Sequence, residues 1–116
     1  MIKVNERTKR KMIMIYGIKN CDSCKKAIKH FSDLAQFRDI RDLPLSSNTL
    51  KKFVSTFGCD LINTRSQTWR ALTEIDKALT KIDLINKHPT VMKRPVIDYD
   101  GALSIGWTDK IKKLFN

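Results

Sequence analysis

Two cysteines three positions apart, Cys21 and Cys24, sit where the hydrophobic pattern of the chain changes period. Before them, Met12-Ile13-Met14-Ile15-Tyr16 is a short apolar run of the kind that forms a buried strand. After them, from Lys25 to about Ala35, the residues Ala27, Ile28, Phe31 and Leu34 recur at helical spacing. A C-x-x-C at a strand-to-helix junction reads as a redox motif. The junction places the first sulfur by the helix N-terminus, where unpaired N–H groups and the macrodipole favour negative charge. Thiolate is the reactive form of cysteine, so this placement predicts a lowered pKa and a nucleophile at Cys21. Lys19, Lys25 and Lys26 are expected to add positive potential. A zinc site would need a second pair of ligands, and Cys59, His30 and His88 supply no such spacing. A disulfide across two intervening residues closes too short a loop to stabilise much. Two inert buried thiols are the bland alternative.

The chain has 116 residues, enough for one domain with one core. No apolar run approaches the roughly 20 residues of a membrane span, and no secretory signal is visible. A cytoplasmic protein is therefore expected, with cysteines kept reduced unless they do redox work. The formal net charge is +11. Residues 1–11 carry five basic side chains against Glu6, bury little, and are expected to be a disordered basic extension preceding a domain over 12–116. The surplus on the rest of the chain would draw anionic small molecules, or nucleic acid without specificity.

Further along, Phe37 to Arg41 alternates like a second strand. Ser47 is placed to cap a helix over Leu50, Phe53, Val54 and Phe57, ending at Gly58. From Leu61 to Lys87 the pattern reads as a long helical stretch. Within it, Thr73 is an N-cap with Asp76 in the capping-box position, and Ile75, Leu79, Ile82 and Ile85 form an apolar stripe. His88-Pro89 ends it. Pro95 to Tyr99 then reads as a strand, Asp100-Gly101 as a hairpin turn, Ala102 to Ile105 as a second strand, and Thr108 as the cap of a last helix bearing Ile111, Leu114 and Phe115. This order is a βαβ half and a ββα half with helices between. It predicts an α/β thioredoxin-like fold, a mixed four-stranded sheet with a helical insertion at about 45–90. A proline opening the third strand is a place for a cis peptide bond, here Arg94–Pro95. Trp69 and Trp107 read as core aromatics with a ligand groove as the alternative, and Cys59 as a thiol without a role.

Tyr16-Gly17-Ile18-Lys19-Asn20-Cys21-Asp22, Asn63-Thr64-Arg65 followed by Thr68-Trp69-Arg70, Lys93-Arg94-Pro95-Val96, and Gly106 occur in one order along the chain. In these motifs the sequence resembles the arsenate reductase (ArsC)/Spx family, with YffB-like members nearest, over about Met12 to Phe115. The resemblance implies that Cys21 is the nucleophile, and that Arg65 and Arg94 hold an oxyanion or a glutathione carboxylate beside it. It further implies that Lys19, Asn20 and Pro95 border the binding site. Arginine suits that role because its planar fork of donors is always charged. Two positions depart from the arsenate reductase pattern: no arginine stands in Leu103-Ser104-Ile105-Gly106-Trp107, and Cys24 forms a C-x-x-C as in Spx. The resemblance thus implies a small thiol-dependent reductase in which Cys24 or glutathione resolves the intermediate. A redox-sensing regulator that binds the RNA polymerase alpha subunit and an arsenate reductase are the alternatives. No tightly bound cofactor, no metal, no membrane and no specific nucleic acid are expected; a thiol or oxyanion substrate and a monomeric state are.

Overall fold

The computed structural model of the chain describes residues 12–115. The expected basic extension over 1–11 lies outside them. Strand β1 (Ile13–Gly17) runs into helix α1 (Asp22–Phe31), and β2 (Gln36–Asp39) returns parallel to β1. Helices α2 (Ser47–Phe57), α3 (Gln67–Arg70), α4 (Glu74–Lys77) and α5 (Lys81–Lys87) follow. The hairpin of β3 (Val96–Tyr99) and β4 (Ala102–Ile105) then leads to α6 (Asp109–Lys113). The strands lie in the order β2-β1-β3-β4, with β3 antiparallel to β1. This mixed four-stranded sheet, flanked by helices, is the thioredoxin-like architecture that the element order predicts.

The pleat divides the core. On one face Ile15 and Ile97 pack with Ala27 and Phe31 of α1 and with the half-buried Trp107 and Phe115. On the other, Val96 joins Leu50 and Phe53 of α2, Leu84 and Ile85 of α5, and Met92. Neighbouring β3 residues thus serve opposite layers, as period-2 alternation requires.

Several boundaries differ from the sequence reading. Helix α1 begins at Asp22 and ends at Phe31; Ser32–Leu34 form a 3₁₀ turn and Ala35 is extended. Strand β2 stops at Asp39, because the Asp39 side chain turns back onto the Arg41 backbone N–H at 2.9 Å. The cap of α2 is Ser46, not Ser47: its Oγ accepts from the Thr49 N–H at 3.2 Å. The largest difference is at 61–87, which is not one long helix. Ser66, Thr73 and Thr80, spaced seven apart, each accept a hydrogen bond from the N–H three residues on and start a new short helix. The local side chain-to-backbone bond competes with helix continuation and wins at each hydroxyl. Broken this way, the expected stripe does not stay on one face. Ile85 is buried, Leu79 and Ile82 are partly buried, and Ile75 is 80% exposed. Leu114 is likewise exposed, while Phe115 packs inward.

A close approach fixes α1 on the sheet. A Cβ built on Gly17, the last residue of β1, would overlap the Cys24 Sγ. Only glycine lets the buried sulfur of the first helical turn seat against the strand end. Gly17→Ala is therefore expected to lower stability by about 1–3 kcal/mol, the usual cost of overpacking. In a Cys24→Ala background, where the sulfur is gone, most of that cost should vanish. Urea denaturation of the four proteins in this double-mutant cycle measures both effects.

Candidate functional site

Cys21 is the N-cap of α1, with extended backbone angles (φ −110°, ψ 124°), and its carbonyl accepts the first helical hydrogen bond from the Lys25 N–H at 2.9 Å. The chain arrives there through a turn held from below. Asp39, at the end of β2 and only 5% exposed, accepts the Lys19 N–H at 3.0 Å through Oδ2, while its Oδ1 accepts the Arg41 N–H. The Arg41 guanidinium completes the clamp at 3.3 Å. Burial alone would raise the Asp39 pKa, but the Arg41 side chain and the two backbone donors outweigh it and bring it to about 2. The sequence reading did not single out Asp39; its signal is an acidic residue at the end of the strand next to the cysteine loop.

Both cysteines are free, and their environments diverge. The Cys21 side chain makes no regular capping bond. Burial pushes its thiol up, yet the Cys24 backbone N–H, the Arg94 guanidinium and the Cys24 thiol together hold it below the ordinary thiol value. Cys24 is fully buried, and that burial, with the neighbouring Cys21 charge, pushes its pKa up to about 12 despite the Ile18 backbone N–H. Cys21 is thus the accessible, acidic member of the pair and Cys24 the protonated donor behind it.

Arg94 reaches this sulfur from the other side of the sheet entry. Its Nη1 donates to the carbonyls of Thr90 at 2.6 Å and Met92 at 3.1 Å. Its Nε is buried and has no partner among the described residues. The Arg94–Pro95 peptide is cis, as the motif predicts. Gly106, at φ +82°, donates its N–H to the Pro95 carbonyl at 2.8 Å, a left-handed conformation that excludes most side chains.

The other expected residues fall differently. Arg65 sits just beyond an isolated bridge between Ile62 and Met92, flanked by the Asn63 N–H to Val91 carbonyl bond and the Lys93 N–H to Leu61 carbonyl bond. That bridge joins its segment to the approach to Arg94. The Arg65 side chain is exposed and makes no hydrogen bond or ion pair among the described residues. Asn20 is exposed beside Cys21. The Lys19 ammonium turns away to Asp42 at 3.1 Å. The positive charge that lowers the Cys21 pKa is therefore Arg94, not the expected lysines. Among the described residues no cluster of His, Cys, Asp or Glu could hold a metal ion, and no helix is long and apolar enough to cross a membrane.

The ArsC family model matches residues 16–113, and the chain belongs to that family. An uncharacterized protein of Haemophilus influenzae is 42% identical over 108 residues, spanning 85% of this chain and 94% of that one. The global transcriptional regulator Spx of Bacillus subtilis is 30% identical over 113 residues, spanning 88% of this chain and 86% of the regulator. Among solved structures, a YFFB protein superposes with a TM-score of 0.80 at 26% identity, over 89% of this chain and 97% of that one. An arsenate reductase (ArsC) related protein from Brucella melitensis gives 0.66 at 31% identity, over 90% and 93%.

Two outcomes follow from the site. Alkylation of Cys21 tracks its thiolate, so the rate should rise with pH to a plateau with a midpoint below about 8.5, the ordinary value for a free thiol. Arg94→Ala removes a cation that favours the thiolate, so that midpoint should move up and alkylation at neutral pH should slow. A midpoint unmoved by the substitution would show that Arg94 does not act on the sulfur. Asp39 has a depressed pKa, so its stabilising contribution is complete above the unfolded value of about 3.9 and is lost as pH falls towards 2. Denaturation across that interval should show a pH slope that Asp39→Asn flattens, with the substitution costing at least about 1.5 kcal/mol at neutral pH.

Proposed function

We propose that the protein is a thiol-dependent oxidoreductase whose Cys21 thiolate attacks a disulfide or mixed disulfide of a small thiol such as glutathione. The observation that carries this reading is the split between the two thiols, one lowered and accessible, the other buried and protonated. Attack on a substrate R–S–S–R′ forms a Cys21–S–S–R bond, and R′S⁻ leaves with the electron pair. Once Cys21 is bonded its negative charge is gone, which removes the Cys21 contributions to the raised Cys24 pKa and leaves burial, the largest cause. Cys24 then attacks the Cys21 sulfur, its proton passing to the expelled RS⁻, which departs as RSH, and an intramolecular disulfide is left for an external thiol pair to reduce. Alternatively, a glutathione thiolate attacks the mixed disulfide and returns Cys21 directly. The Arg94 guanidinium beside Cys21 and the Arg65 guanidinium, which has no partner among the described residues, are the donors for a substrate carboxylate or oxyanion. Lys19, Asn20 and Pro95 would border that group through backbone placement.

Turnover of a glutathione mixed disulfide, with glutathione or thioredoxin as donor, tests this. Cys21→Ser should abolish it. Cys24→Ser should keep the glutathione route and trap a Cys21 adduct visible by mass spectrometry when glutathione is withheld. Arg94→Ala should slow turnover by roughly tenfold, as expected for one lost charge-assisted contact. Full turnover in Cys21→Ser would end the proposal.

A second reading is a redox-sensing regulator. The curated Spx proteins at 29–32% identity favour it, as does a C-x-x-C of the Spx kind. In that case the RNA polymerase alpha subunit should be captured by the protein, with capture changing on oxidation of Cys21 and Cys24, and the enzyme assay should be silent. Reduction of arsenate is the weaker reading, because the end of β4 offers Ser104 and Gly106 and no arginine.

A further inference from the structure

A cavity of about 610 Å³ opens on the side of α1 towards α6 and the end of β4. None of its lining residues belongs to the cysteine site. Lys26 and Lys29, one turn apart on α1, and Lys112 of α6 line it, together with His30, Trp107 and Asp109. None of the three lysines makes an ion pair among the described residues, so their charge is available to a ligand. Three lysines around one concavity give it a positive potential that favours an anion.

The wall adds a second requirement. The Trp107 indole is fixed by His30 at 5.3 Å and Phe31 at 5.9 Å between ring centroids, and is only half-buried, so part of it faces the cavity. A held aromatic surface beside cations suits a planar ring joined to phosphates. The volume lies within the range of sites for small molecules. The Asp109 carboxylate supplies acceptors for sugar hydroxyls and disfavours a compact inorganic polyanion. We propose that this cavity binds a nucleoside polyphosphate, with the phosphates among Lys26, Lys29 and Lys112 and the base against Trp107.

The test is calorimetric titration of the intact chain at about 150 mM salt, where diffuse surface attraction is screened. Adenosine triphosphate, adenosine and inorganic tripolyphosphate are the three probes. The triphosphate should bind at least about tenfold more tightly than either of the others, and should shift the Trp107 indole N–H resonance but not that of Trp69. Lys112→Glu should weaken binding at least about fivefold, whereas Lys51→Glu, an exposed lysine on α2, should change it less than about twofold. Cys21→Ser should bind as the wild type does, so the outcome is independent of the thiol chemistry. Tripolyphosphate binding as tightly as the nucleotide would reduce the cavity to a general anion sink and overturn the proposal. Equal loss in Lys51→Glu, or a silent Trp107 resonance, would overturn it too.

Discussion

The seating of one buried sulfur against one backbone without a side chain governs the geometry of the site. Because Gly17 lacks a Cβ, the first turn of α1 can press Cys24 onto the end of β1. That contact sets how far the helix start stands from the sheet, and with it where the N-cap residue lies. Arg94 enters from the segment that leads into β3, which pairs with β1. Strand pairing and the Cys24 contact therefore bring the cation and the thiolate to the same end of the same strand. The reactive group owes its position to the inert one.

The two thiols also show how a small domain separates acid from nucleophile with the same residue type. They share a helix turn, a neighbouring arginine and each other. What differs is solvent and the direction of the hydrogen bond between them. Burial penalises the charged form of both, but at Cys21 the nearby donors prevail and at Cys24 they do not. Each shift reinforces the other, since a thiolate at Cys21 is best served by a protonated Cys24.

Much of this was legible in the sequence, and the parts that were not have a common cause. The order of strands, the C-x-x-C at the helix start, the cis Arg94–Pro95 peptide and the hairpin at Asp100-Gly101 are local patterns, and local patterns survive folding. The 61–87 stretch misled because its hydrophobic spacing is helical throughout, while hydroxyls at 66, 73 and 80 restart the helix each time. Thr73 was recognised as a cap; the same logic at Ser66 and Thr80 would have predicted the breaks. Within the site, Arg94 and Cys21 meet as the motif implies. The contact of Gly17 with Cys24 and the redirection of Lys19 to Asp42 depend on which segments lie side by side, and no spacing in the sequence encodes that.

The segmented cover formed by α3, α4 and α5 has one more consequence. A continuous helix transmits a rotation or shift along its whole length, so a substitution at one end disturbs the other. Here each short helix starts from its own hydroxyl cap and ends before the next begins. Side chains join the pieces: Asp76 of α4 meets Lys87 of α5 at 3.0 Å and His88 at 2.8 Å, and Lys77 lies over the Trp69 ring of α3 at 5.4 Å. The cover is thus jointed rather than a beam, and a change in one piece reaches its neighbours through these few side chains instead of along a continuous backbone ladder.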